Sequence, residues 1–149
     1  MNIKNQLYQI CLENINKRIS TIEKRLNAMV EARNSETKCV VGDKHETGRT
    51  MMHLEEEKSR MQYMEVVKER ENLLKIDCEK DYEKVEVGSL VNTSNGDFFI
   101  TIGIGRVILG NKTYYCISQV SPIGLKMIGK SIGETFVFSN TPITIKSIL

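Results

Sequence analysis

The sequence predicts an α+β protein, an N-terminal antiparallel coiled-coil hairpin followed by a small antiparallel β domain with one short helix. Two observations carry that expectation. Before about residue 80 there is no proline and only two glycines, amid abundant Glu, Lys, Arg, Asn and Met; beyond it come eight glycines, both prolines and most of the Phe, Tyr, Val and Ile alternation. Helix formers thus give way to strand and turn formers. The second observation is a stripe, Ile3, Leu7, Cys11, Ile15, Ile19, Ile22, Leu26 and Met29, stepping by four and three residues as a coiled-coil seam requires. The expected division is a hairpin over residues 1–80 and a β-rich domain over residues 84–149.

The first helix is expected over residues 3–33, about 45 Å long at ~1.5 Å per residue. A second is expected from Thr47 to Cys78, with Met51, Leu54, Met61, Met64, Val67 and Leu74 on or near one face. Two long helices joined by a short segment bury each other's stripes by folding back, so a monomer suffices. The turn between them, NSETKCVVGDKHE from Asn34 to Glu46, is polar at both ends.

Six strands follow, expected at Ser89–Asn92, Phe98–Ile102, Arg106–Leu109, Thr113–Ser118, Glu134–Phe138 and Ile143–Ile148. Asn95-Gly96 signals a type I′ hairpin turn, whose two central residues both need positive φ. Gly110-Asn111 reads as a further turn. In SPIGLKMIGK, Ser121 can cap a short helix, Pro122 fits its first turn and Gly129 can end it.

Charge and cysteine usage narrow the function classes. The net charge of +2 is evenly shared, which argues against the broad basic face of a free nucleic-acid binder. Cys11, Cys39, Cys78 and Cys116 are scattered without a CxxC pair and read as small hydrophobes or free thiols. No apolar run approaches the ~18–20 residues that span a bilayer, and the N-terminus lacks the apolar segment of a signal peptide. The expectation is a cytoplasmic protein with no membrane partner. Gly103-x-Gly105 is no nucleotide loop, since Gly110 falls at the wrong spacing and no long helix follows. No Ser/His/Asp set, Cys/His set or zinc spacing is present, so no stand-alone active site is visible.

The candidate chemistry lies at the tip, in Asp43-Lys44-His45-Glu46. At the start of a helix, Asp43 and Glu46 share a face and resemble a capping box, a purely structural reading. Two carboxylates held in the open also suit a hard cation such as Mg2+, although they are too few for its six-oxygen shell. Lys38, Lys44 and Arg49 flank them and could touch phosphate.

Two segments together resemble a known family. The run from Ile117 to Glu134, ISQVSPIGLKMIGKSIGE, is similar to the C-terminal signature of Gre-type bacterial transcript-cleavage factors, in which S-P-I, G-K and G-D or G-E recur at this spacing. Gly42-Asp43-Lys44-His45-Glu46 is similar to that family's hairpin tip, G-D-x-x-E. The order also matches, hairpin first and then a domain resembling the FK506-binding-protein fold. The resemblance implies a partner, RNA polymerase, docked through Ser121, Pro122, Ile123, Gly124, Gly129 and Lys130. It implies that Asp43 and Glu46 reach the polymerase active site, where they share a Mg2+ ion and act on the RNA 3′ end, with Lys38, Lys44 and Arg49 near the RNA. On this reading the polymerase remains the enzyme and the chain is an accessory factor. The chain departs from the family after the acidic pair, where Thr47-Gly48-Arg49-Thr50 replaces N-A-E-Y. A prolyl isomerase would need an aromatic-lined cleft, whereas Phe98, Phe99, Tyr114, Tyr115, Phe136 and Phe138 pair along strands as core residues do.

Overall fold

The computed structural model describes residues 2–38 and 44–149, with side chains for residues 2–35 and 51–149. The fold is α+β: two long helices, α1 (Ile3–Lys38) and α2 (Lys44–Leu74), precede a six-stranded mixed sheet. The chain divides into two compact units. One unit is Ile15–Glu71; the other combines residues 1–14 with Asn72–Leu149.

Within Ile15–Glu71 the helices run antiparallel. Arg18 pairs with Glu69 at 3.3 Å, Arg25 bonds Gln62 at 3.4 Å and Arg33 pairs with Glu56 at 2.7 Å, so one index rises as the other falls. The seam of α1 is as expected: Ile15 and Ile22 are buried in this unit, and Ile19, Leu26 and Met29 are half-buried. The seam of α2 is not. Met51, Leu54, Met61 and Met64 stand out in solvent, and the inward residues are Met52, Glu56, Ser59, Tyr63 and Val66. The physical reason is that polar residues occupy the inner face. Buried Glu56 receives both Arg33 and Arg60, at 2.7 and 2.6 Å, which satisfies a carboxylate that could not otherwise leave water.

In the other unit the sheet order is β3-β4-β2-β1-β6-β5, from β1 (Leu90–Thr93), β2 (Gly96–Thr101), β3 (Gly105–Leu109), β4 (Lys112–Ser118), β5 (Thr135–Phe138) and β6 (Thr141–Ile148). All six expected strands are present, but the sheet is mixed rather than antiparallel. β2 and β4 pair in parallel, Phe99 opposite Cys116 and Thr101 opposite Ser118. The cause is that β3 hairpins onto β4 and takes the edge, leaving β4 to lie along β2 in the same direction.

Both faces of the central strands are covered. Val91, Phe98, Ile100, Ile143 and Ile145 join Tyr82, Val85 and Met127 in one cluster, each fully buried side chain contributing about 1.5–3 kcal/mol. Strand alternation sends Leu90, Phe99, Thr101 and Cys116 to the opposite face, and they too are buried. Cys11 of α1 meets that face: the Thr101 hydroxyl lies 3.6 Å from its Sγ. The start of α1 is also fixed by Lys4, whose Nζ donates to the Lys80 carbonyl at 2.9 Å and sits 4.8 Å from the Tyr82 ring centroid. Burial lowers the Lys4 pKa from its ordinary value.

Candidate docking surface around the short helix

The segment after β4 turns sharply into α3 (Pro122–Met127), and local chemistry explains every step. Ser121, extended at φ −67° and ψ 158°, is the N-cap; its Oγ accepts from the Gly124 N–H at 3.1 Å and donates to the Ser118 carbonyl at 2.6 Å. Pro122 occupies the first turn, where its missing N–H costs nothing. Gly124 is obligatory, because a Cβ there would lie 2.2 Å from the Ser118 carbonyl oxygen. Ile123 is half-buried and packs on the core, and Met127 is fully buried.

The helix ends at Ile128, whose N–H bonds the Gly124 carbonyl at 3.0 Å. Gly129 follows at φ +81°, a left-handed position that favours glycine. Its N–H donates to the Val85 carbonyl at 2.9 Å, and the Val85 N–H donates to the Lys130 carbonyl at 2.9 Å, which ties the segment's exit to residues 84–85. Gly133, at φ +90°, donates to the Ile145 carbonyl at 2.8 Å.

The expected docking residues Ser121, Pro122, Ile123, Gly124, Gly129 and Lys130 are therefore brought together, chiefly as the frame of a projection. What the projection presents is a different set. Val120 is 71% exposed, Leu125 66% and Ile132 57%, far more than apolar side chains with a core available. Exposed Lys126 lies among them in sequence, and Lys130 is half-buried. Sequence reasoning passed over these apolar residues. The available signal was that Leu125 sits two positions from Met127 on a short helix, where both cannot face the core.

The tip residues fall differently. Asp43 lies outside the described residues, and so do the side chains of Lys38, Lys44, Glu46 and Arg49, although Lys38 ends α1 and α2 runs through Lys44, Glu46 and Arg49. Among the described residues no group of three or more His, Cys, Asp or Glu could hold a metal ion. No described helix is long and apolar enough to cross a membrane. The chain matches no known family model, no curated protein and no solved structure.

Proposed function

We propose that this chain is an elongation factor that docks on RNA polymerase at its secondary channel and stimulates cleavage of backtracked RNA. The observation that carries the reading is the combination, in order, of an antiparallel helical hairpin bearing Gly42-Asp43-Lys44-His45-Glu46 and a capped S-P-I-G projection with exposed apolar side chains. The finer fold assignment, a domain like the FK506-binding proteins, belongs to the same proposal. Leu125, Val120 and Ile132 would dock, framed by Ser121, Gly124 and Gly129.

At the tip, Asp43 and Glu46 supply two anionic oxygens, a donor set that suits a hard cation whose other ligands come from the polymerase. A shared Mg2+ would supply Lewis-acid activation of a water for hydrolysis. Lys38, Lys44 and Arg49 add positive charge for the RNA backbone.

The test separates ligands from caps. Asn caps a helix about as well as Asp, and Gln serves at the third position as Glu does, so Asp43→Asn and Glu46→Gln should cost under ~1 kcal/mol of stability. Both variants should bind polymerase like the parent yet lose most stimulation of transcript shortening in a backtracked complex. Equal cleavage by parent and variants would reduce the carboxylates to caps. A second reading, a channel-binding regulator without cleavage activity, is favoured by Thr47-Gly48-Arg49-Thr50 in place of the family's N-A-E-Y. Polymerase binding by the parent without any shortened transcript would select it.

A further inference from the structure

The outer face of α2 carries a run of apolar side chains that the described residues of its unit leave in solvent. Met51, Leu54, Met61 and Met64 are 62%, 62%, 60% and 69% exposed. Leu54 is two residues from Met52 and from Glu56, and Met61 two from Ser59 and from Tyr63, which is about 200° round a helix of 3.6 residues per turn. Both therefore point directly away from α1. Their spacing is one heptad, so they share a line along the helix. Offsets of three and four place Met51 and Lys58 on one side of that line, and Glu57 and Met64 on the other. Scattered exposed apolar residues need no account, but a contiguous stripe marks a contact surface.

The charges beside the stripe decide its occupant. Glu57 and Lys58 are both exposed, and among the described residues neither has an ion-pair partner. When two copies of α2 lie parallel about a two-fold axis along the helices, the Lys58 side of one meets the Glu57 side of the other. Lys58 then faces Glu57 of the second copy, twice over, while Leu54 and Met61 meet their own counterparts. An antiparallel pair centred on the stripe instead turns each side against itself, Lys58 near Lys58 and Glu57 near Glu57. The face is complementary to itself in the parallel orientation.

We propose that α2 makes a parallel, in-register contact with a second copy of this chain, through Leu54 and Met61 flanked by Met51, Met64 and the Glu57–Lys58 pairs. Lys68, the next member of the line, is charged and exposed, and it ends the contact. Four partly exposed apolar side chains from each copy bury less than the roughly 1,200 Å² of a stable complex, so the dimer is weak and reverses on dilution. At the low concentration of a thermal melt the chain is monomeric and the stripe is solvated.

Sedimentation velocity of the full chain, in a thiol reductant and over a range on the order of 10–500 μM that brackets a weak pair, reads the monomer–dimer balance. The parent should pass from monomer to dimer across that range, while Leu54→Gln/Met61→Gln stays a monomer. Glu57→Lys sets lysine against lysine on both sides and should weaken the dimer about tenfold; Glu57→Lys/Lys58→Glu restores opposite charges and should recover it. Circular dichroism checks that each variant is folded. A parent that is monomeric throughout overturns the proposal, as does a dimer that survives Leu54→Gln/Met61→Gln. A dimer indifferent to Glu57→Lys overturns the parallel orientation. If the apolar variant does not fold, the charge reversal and its rescue decide alone.

Discussion

Gly124 shows how much of the short-helix projection rests on one missing methyl group. The Ser121 cap pulls the backbone back until the Gly124 Cα faces the Ser118 carbonyl, and a Cβ would sit 2.2 Å from that oxygen. Backbone cannot swing away as a flexible side chain can, so Gly124→Ala should cost about 1–3 kcal/mol, as overpacking a filled site does. Urea denaturation of the full chain would measure it, and an unchanged midpoint would show that the turn relaxes freely. Residue chemistry of this local kind was legible in the sequence. Ser121, Pro122 and Gly129 were each expected in the roles they hold. The type I′ turn was misplaced for the opposite reason. At Thr93–Gly96 the Thr93 hydroxyl accepts from the Asn95 N–H at 3.1 Å and donates to the Gly96 carbonyl at 2.7 Å, and only Gly96 has positive φ. The turn with two left-handed residues is Ser139-Asn140, at φ 50° and 62°, where β5 and β6 pair Phe138 with Thr141. Strand pairing imposed that conformation, and no dipeptide preference announced it.

At the scale of the helix, α2 teaches that apolar spacing alone does not choose an inner face. Met51, Leu54, Met61 and Met64 recur at helical intervals and looked like a seam, but they are exposed, and the inner line runs through Glu56, Ser59, Tyr63 and Val66. What decides the rotation is the sum of cross-helix polar bonds. Arg33 to Glu56, Tyr63 to Glu23 and Arg70 to Asn16 all require those residues to face α1, and turning α2 to bury methionines would strand them. The sequence pattern could reveal α1, whose stripe is uniformly apolar, and could not reveal a partner whose inner face is half polar. Two substitutions on the outer face and one on the inner face test the assignment. Met61→Gln and Met64→Gln should change stability by less than about 0.5 kcal/mol, as exposed positions do. Glu56→Ala should cost about 2–3 kcal/mol, less than a fully buried pair because Arg60 reaches solvent. Thermal melts that reverse this ranking would put the methionines inside.

At the scale of the whole chain, the compact units do not follow the change in composition near residue 80. The first fourteen residues belong with the sheet, because Cys11 touches Thr101 and Lys4 is held by Lys80 and Tyr82. A chain reading by composition sees helix formers and assigns them to the helical half; only the strand register exposes the second apolar face that those residues cover. This has a constructive test. Arg70 donates to the Asn16 carbonyl oxygen of the side-chain amide at 2.7 Å, so the two helices are side by side just beyond Asn14 and Asn72. Deleting residues 15–71 and joining Asn14 to Asn72 through a Gly/Ser loop of about four residues should therefore close without strain. The shortened chain should unfold in one cooperative urea transition. Residues 84–149 alone lose the cover of Cys11 and the buried side chains Tyr82 and Leu73, and at roughly 1.5–3 kcal/mol for each large one they should be less stable by several kcal/mol. On the proposed function the shortened chain keeps the projection around α3 and lacks the tip, so it should compete with the parent for polymerase and stimulate no cleavage. Equal urea midpoints for the two fragments would mean that the first fourteen residues are passengers. Loss of polymerase competition by a folded shortened chain would move the docking surface into the hairpin.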